Sequence, residues 1–215
     1  MLALAIMLVN AYHLSQADFS SLTAAAIENL DTGDHATAST TETTTNSVLP
    51  KGIPLIYGKE LGISYDDVSV NNPNKADTTI KKLGALDEQI SLTPPQQQRY
   101  ITILYTLEKG ISCEYCCGAP AIITSKGDPA CGCAHSYAMR GIAKYLITRH
   151  GTEYTDRQIL EEAGKWKTLF FPGQMQLKAQ VLQQQGIEIN YINLASNKYR
   201  GIEQGKSAGG MIGGC

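Results

Sequence analysis

Six residues of the kinds that bind metals or carry out redox chemistry lie close together, between positions 113 and 135. They are Cys113, Cys116, Cys117, Cys131, Cys133 and His135. The pattern is C-x2-C-C, a thirteen-residue spacer, then C-x-C-x-H. Paired cysteines at such spacings can place both sulfurs on one side of a tight turn, as tetrahedral metal sites require. The segment therefore predicts a cluster of thiolates able to hold a metal ion.

A four-sulfur site is the simplest arrangement that this pattern allows. Glycines and prolines in the spacer can turn the chain back, and Gly132 permits a tight second pair. The predicted ligands are Cys113, Cys116, Cys131 and Cys133, with His135 as a fifth candidate. Zinc fits paired cysteines with an occasional histidine, and Cu(I) fits crowded sulfur with only two or three ligands. An iron–sulfur cluster is the weaker cofactor candidate, because of the C-x-C spacing and the expected export.

Two other readings of the cysteines stay open. Six cysteines can form disulfide staples in an exported surface interaction module, with fifteen connectivities that the sequence cannot distinguish. The role of Cys117 differs between the readings. It is a candidate bridging ligand in a metal site, or a disulfide partner of Cys215. The third reading is a thiol–disulfide redox protein, since Cys113 and Cys116 have C-x-x-C spacing. We identify no catalytic residues, and the balance of the pattern is against an enzyme.

The elements that must position these residues are helices. Thr93 with Pro94 predicts a helix that ends at Gly110, and a second helix is expected from Ala134 to Arg149. Thr155 with Gln158 predicts a capping box for a third, and a fourth is expected at 173–185. Only Ile187–Leu194 alternates like a strand. We expect a mainly α domain of three to four helices carrying a cysteine-rich loop, with at most one short β element.

Side-chain placement follows from the same helical periodicity. In the second helix, Arg140 and Lys144 are expected to point away from the apolar face. Glu161 and Glu162 are expected on a solvated face of the third helix. The glycine-rich tail from Gly201 is expected to be mobile up to Cys215.

The first fifty residues differ in character from the rest. They contain no lysine or arginine and five acidic residues, whereas all six cysteines lie beyond position 112. Residues 1–16 are mostly apolar, and we interpret them as a membrane anchor or a signal segment. Residues 17–49 read as a helical extension and a Ser/Thr-rich stalk, and 50–215 as the cysteine-containing domain. The protein is therefore expected at the cell membrane with its domain outside the cytoplasm, cleavage and secretion being the alternative.

Overall charge excludes one large class of partners. The formal net charge is −2 and only 18% of the residues are charged. Such a chain lacks the basic surface on which nucleic-acid binding depends, so no nucleic-acid partner is expected. The membrane, through the N-terminal segment, is the one partner that the sequence indicates.

The runs GISCEYCCGA and ACGCAHSYAMRGIAKYL, with EYTDRQILEEAGKWKTLFFPGQM after them, carry a resemblance over roughly residues 50–215. The chain resembles uncharacterised membrane-anchored proteins of small archaea and candidate-phylum bacteria. It is more distantly similar to PCYCGC-motif proteins through Cys131, Cys133 and His135, although Ala130 departs from that motif. The resemblance implies an exported, anchored domain with a metal or redox role, and it supplies no catalytic activity.

Overall fold

The computed structural model describes residues 48–204 and 209–214. The predicted anchor at 1–16, nearly all of the predicted stalk, and Cys215 lie outside these residues. The described part is mainly helical, which confirms the predicted fold class. The predicted count of three to four helices is too low, because the described residues form seven α-helices: α1 Gly58–Leu61, α2 Pro73–Gln89, α3 Pro94–Ile101, α4 Ala134–Arg149, α5 Asp156–Phe170, α6 Pro172–Gln184 and α7 Tyr191–Ala195.

The strongest helix signals in the sequence act as expected. In the capping box of α5, the backbone N–H of Thr155 donates to Gln158 Oε1 over 2.9 Å, and the Gln158 N–H donates back to Thr155 Oγ1. Helix α4 has the predicted bounds, with Cys133 as its N-cap and His150 as its C-cap. Side chains that cap the free N–H groups fix where such helices begin.

The predicted helix from Thr93 to Gly110 is divided into three parts. It is α-helical as far as Ile101, continues as a π-helical segment Thr102–Thr106, and ends in a 3-10 turn Leu107–Lys109. Gly110 ends it with a φ of 72°, and a Cβ there would lie 2.4 Å from the Leu104 carbonyl oxygen. Glycine is therefore required at the position where the chain turns into the cysteine-rich loop.

Helices α2 and α4 pack closely against each other. A Cβ on Gly141 of α4 would lie only 2.0 Å from the Leu83 carbonyl oxygen of α2, so the absence of a side chain allows this approach. Around this pair the apolar faces form one core with α5, in which Leu83, Ile142 and Trp166 are fully buried. The N-terminal end of α4 is capped by Cys133, the last residue of the cysteine-rich loop.

The strand predicted at Ile187–Leu194 is wrong. Asn190 instead caps α7, because its side-chain oxygen accepts the backbone N–H of Asn193 over 2.8 Å. The alternating pattern arises because Ile192 and Leu194 of this short helix are both buried in the core. Among the described residues there is no strand, and only two isolated β-bridges occur, Ile111 with Ser196 and Ile123 with Pro129.

Glu162 is not on a solvated face. Its Oε2 accepts hydrogen bonds from the hydroxyl groups of Tyr57, over 2.7 Å, and Tyr65, over 2.5 Å. Burial, followed by the nearby Glu162 charge, raises the pKa of both tyrosines, so both remain hydrogen-bond donors. This contact fastens the segment before α2 to helix α5.

His150 joins the end of α4 to α1 and should make stability depend on pH. Its Nε2 lies 2.9 Å from Glu60 Oε2, and its Nδ1 contacts Glu153. Burial alone would lower the pKa of His150, but hydrogen bonds to Glu153 and Glu60 outweigh it and raise the pKa. A raised folded-state pKa gives stabilisation that is complete below the unfolded value, about 6.5, and lost as pH rises through the folded value. We expect the free energy of unfolding to fall as the pH rises through this range. The fall should not exceed about 1 kcal/mol, because both carboxylates are half exposed and solvent weakens their interaction with His150.

Urea denaturation of the wild type and a His150→Gln variant, at pH values from about 6 to about 9, measures this contribution. The variant should lack the pH-dependent component. An identical pH slope in both proteins would show that His150 does not carry it.

None of the helices in the described ranges is both long and apolar enough to span a membrane.

Candidate metal centre

The loop between Gly110 and Cys133 is held by the backbone and by one buried arginine. Ile122 donates its N–H to the Ile111 carbonyl, and Ala130 donates to the Ile122 carbonyl, both over 3.0 Å. Arg140 of α4 is fully buried, and its Nη1 donates to the Cys131 carbonyl over 2.8 Å. Its Nε forms an ion pair with Asp87 Oδ2 of α2 over 2.6 Å. The expectation that Arg140 points to solvent is therefore wrong: it ties the cysteine loop to two helices.

Cys133 occupies the N-cap position of α4. Its sulfur accepts the backbone N–H of Ser136 over 3.4 Å, and the Ser136 hydroxyl oxygen lies 3.3 Å from the same sulfur. The N–H groups and the positive end of the helix dipole stabilise negative charge at this position. A thiol here is therefore favoured in its thiolate form.

Cys113 and Cys133 form a close pair of buried thiols. Their sulfurs lie 3.3 Å apart, and both residues are free cysteines. The hydrogen bond from Cys113 lowers the pKa of Cys133 well below its ordinary value, and hydrogen bonds with Ser136 act in the same direction against the effect of burial. The same contact, together with burial, raises the pKa of Cys113. Both shifts favour Cys133 as the thiolate of the pair and Cys113 as the hydrogen-bond donor.

His135 is fully buried one residue into α4, against the rings of Phe170 and Phe171 at centroid distances of 4.9 and 5.0 Å. Its Nε2 lies 2.8 Å from the carbonyl oxygen of Ile212. Because a carbonyl only accepts, Nε2 carries the hydrogen, and Nδ1 is left with a lone pair. Nδ1 is buried and has no hydrogen-bond partner within the described ranges. In metal sites, a ligating histidine typically donates a hydrogen bond from one ring N–H to a carbonyl or carboxylate and binds the metal through the other nitrogen. His135 has this arrangement.

The tail residue Ile212 is part of this arrangement. Its N–H donates to the Phe170 carbonyl over 2.8 Å, and its side chain is 7% exposed. Ile212 is thus packed against α5 and His135, whereas residues 209–211 and 214 are exposed. It fixes the tautomer and the orientation of the imidazole.

The structure brings four of the predicted candidates to one place. One ligand atom from each of Cys113, Cys116, Cys133 and His135 lies within 4.8 Å of the other three. The predicted ligand Cys131 belongs to a second group with Cys117 and Cys133, and it forms a disulfide with Cys117. Cys116 is disulfide-bonded as well. In the described residues, the free thiols are therefore Cys113 and Cys133.

The sequence predicts for Cys117 either a bridging role or a disulfide with Cys215. The structure pairs it with Cys131, and Cys215 lies outside the described residues.

A buried charge cluster beside the thiols was not predicted. Lys167 Nζ lies 2.9 Å from Glu114 Oε2, and Lys178 Nζ lies 3.5 Å from the same oxygen. Burial lowers the pKa of Lys167 to about 8, and its charge acts to lower the pKa of Cys113. The two lysines also lower the pKa of Glu114, although burial opposes this. Two cations against one carboxylate provide a positive environment that favours thiolates.

The one sequence signal for this cluster is Glu114 itself, a charged residue between two cysteines. Its φ of 61° is unusual for a residue other than glycine. This backbone turn aims the carboxylate at Lys167, which occupies a fully buried position in α5.

Comparison with protein-family models, with curated proteins and with solved structures found no match to this chain. A thiolate, a neighbouring thiol and an unpartnered imidazole nitrogen are together suited to bind a soft or borderline metal ion.

Proposed function

We propose that this protein binds one soft transition-metal ion through Cys113, Cys133 and His135. The observation that carries the proposal is the buried Nδ1 of His135, which has no hydrogen-bond partner among the described residues. A ring nitrogen of His135 lies within 4.8 Å of both sulfurs. A buried polar atom without a partner costs about 1–3 kcal/mol. Coordination of a metal by Nδ1 removes that cost and uses both thiols at once.

Cu(I) is the ion that this donor set favours. Two thiolates and one imidazole give three soft or borderline ligands, and Cu(I) is satisfied by two or three. Structural zinc is almost always held by four protein ligands. Cys116 would provide a fourth sulfur only after reduction of its disulfide. An iron–sulfur cluster requires four thiolates, so the oxidised state described here supports it least.

The proposed location is outside the cytoplasm, with the chain tethered to the membrane. Disulfides persist in oxidising compartments, and the Cys117–Cys131 bond supports such a location. The apolar character of residues 1–16 supports the tether.

Competition between the protein and a chromogenic Cu(I) chelator under reducing-agent-free, anaerobic conditions tests the metal proposal. We expect one equivalent of Cu(I) to be retained by the wild type. The His135→Gln variant should bind on the order of 100-fold more weakly, because it loses one of three ligands.

His150→Gln is the matched control. His150 is also largely buried, but both of its ring nitrogens already have carboxylate partners. Its replacement should leave Cu(I) affinity unchanged. Equal affinities for His135→Gln and the wild type would exclude His135 from the site and overturn the proposal, and tighter retention of Zn(II) than of Cu(I) would overturn the choice of metal.

A further inference from the structure

The Cys117–Cys131 disulfide lies directly beside the two free thiols. Cys131 Sγ is 3.5 Å from Cys133 Sγ, and Cys133 Sγ is in turn 3.3 Å from Cys113 Sγ. The four sulfurs therefore form a chain of contacts from Cys117 through Cys131 and Cys133 to Cys113. At such distances, attack of one sulfur on the next requires only small side-chain movements.

The two ends of this chain differ in exposure. Cys117 is exposed, whereas Cys131 and Cys133 are 6% and 7% exposed and Cys113 is fully buried. The disulfide of another molecule can reach the surface pair but not the buried thiols. Electrons can therefore pass between the buried thiols and another molecule only through Cys117 and Cys131. We call these two cysteines the surface pair, because Cys117 is exposed, and Cys113 with Cys133 the buried pair.

We propose that the Cys117–Cys131 disulfide exchanges internally with the Cys113 and Cys133 thiols, so that the protein relays two electrons between a buried pair and a surface pair. The surface pair then reacts with a disulfide or dithiol of another molecule. This activity goes beyond the proposed metal binding and does not depend on it.

The exchange balances in two steps. The Cys133 thiolate attacks Cys131 Sγ, which forms a Cys131–Cys133 bond, breaks the Cys117–Cys131 bond and releases Cys117 as a thiolate that is protonated from solvent. The Cys113 sulfur then attacks Cys133 Sγ, which breaks the Cys131–Cys133 bond, and the proton of Cys113 passes to the Cys131 sulfur that leaves. The products are a Cys113–Cys133 disulfide and a reduced surface pair, with no net change in oxidation state.

The surface thiols can then reduce an external disulfide, R–S–S–R′. Cys117 forms a mixed disulfide and releases the first thiol, and Cys131 resolves it, which releases the second thiol and restores the Cys117–Cys131 bond. Two electrons have then moved from the buried pair to the external molecule. If the proposed metal site is correct, the same exchange removes two of its three ligands and would expel the ion.

Trapping the first step provides the test, on the 215-residue chain with a metal chelator present. In a Cys113→Ser variant the exchange should stop at the Cys131–Cys133 bond, which leaves exposed Cys117 as a thiol. In a Cys133→Ser variant no attack on Cys131 is possible. We expect iodoacetamide to alkylate Cys117 at least about tenfold faster in Cys113→Ser than in Cys133→Ser, as measured by peptide mass spectrometry in non-denaturing, mildly alkaline buffer.

A second measurement uses the wild type and does not depend on the folding of a variant. After incubation and acid quenching, non-reducing peptide mapping should detect the Cys113–Cys133 disulfide beside the Cys117–Cys131 disulfide. The absence of the Cys113–Cys133 linkage, or equal alkylation of Cys117 in the two variants, would overturn the relay.

Addition of Cu(I) separates this proposal from the metal site. If both are correct, Cu(I) should suppress formation of the Cys113–Cys133 linkage in the wild type. Exchange that continues at the same rate with Cu(I) bound would contradict the metal site while supporting the relay.

Discussion

The Cys133→Ser variant should lose metal affinity by on the order of 1,000-fold. Apparent binding free energies of structural zinc in small thiolate sites are about 10–16 kcal/mol. On that scale one of three ligands accounts for about 3–5 kcal/mol, and each 1.4 kcal/mol is tenfold in affinity. Cys133 is the ligand with the largest expected effect because it is already the thiolate of the pair. Its N-cap hydrogen bond from Ser136 and its contact with Cys113 both favour that form. Chelator competition gives the dissociation constant.

The control for this variant removes the neighbouring disulfide. A Cys117→Ser/Cys131→Ser double variant alters the same loop but keeps Cys113, Cys133 and His135. Its Cu(I) affinity should stay within a few-fold of the wild type. A loss as large as that of Cys133→Ser would show that Cys131 is a ligand, as the sequence pattern first predicted.

Replacement of Arg140 by methionine should lower the free energy of unfolding by about 3 kcal/mol. The variant leaves Asp87 buried with Lys144 as its remaining ion-pair partner, 2.8 Å from Asp87 Oδ1. It also removes the donor for the Cys131 carbonyl at the start of the second cysteine pair. Removal of one partner from a buried ion pair typically costs about 3–5 kcal/mol. Because Lys144 still pairs with Asp87, we expect a loss at the lower end of this range.

Urea denaturation compares this variant with Arg157→Met, a matched change at an exposed arginine. Arg157 pairs with Glu108, but its side chain is 55% exposed, so its loss should cost less than about 1 kcal/mol. A double variant, Asp87→Asn with Arg140→Met, should recover part of the loss because the buried carboxylate is no longer charged. Similar small effects for Arg140→Met and Arg157→Met would contradict the role assigned to Arg140.

The sequence predicted those parts of the fold that local signals determine. The capping box at Thr155 and Gln158 and the range Ala134–Arg149 depend on caps and helical periodicity, which act within a few residues. The π-helical segment after Ile101 and the helix at Tyr191–Ala195 depend on packing between distant residues. Short segments of this kind take their conformation from tertiary contacts, which override the local pattern.

The same distinction applies to the site. The clustering of Cys113, Cys116, Cys133 and His135 could be predicted because spacing alone constrains which sulfurs can meet. The pairing of Cys117 with Cys131 could not, because connectivity depends on which sulfurs the folded loop brings together.

Buried charges were the other feature that the sequence did not predict. Helical periodicity placed Arg140 on a polar face and Lys167 received no role, yet both are fully buried. Each has a carboxylate partner that is distant in sequence, Asp87 and Glu114 respectively. A single sequence gives no signal for such pairs, because a paired buried charge and a solvated one have the same residue type.

X-ray absorption spectroscopy of the Cu(I)-loaded protein tests the central claim most directly. The account predicts a three-coordinate copper with two sulfur scatterers, from Cys113 and Cys133, and one nitrogen with the outer-shell pattern of an imidazole, from His135. The imidazole signal should disappear in His135→Gln. A copper ion surrounded by sulfur alone, with no imidazole contribution in the wild type, would contradict the site.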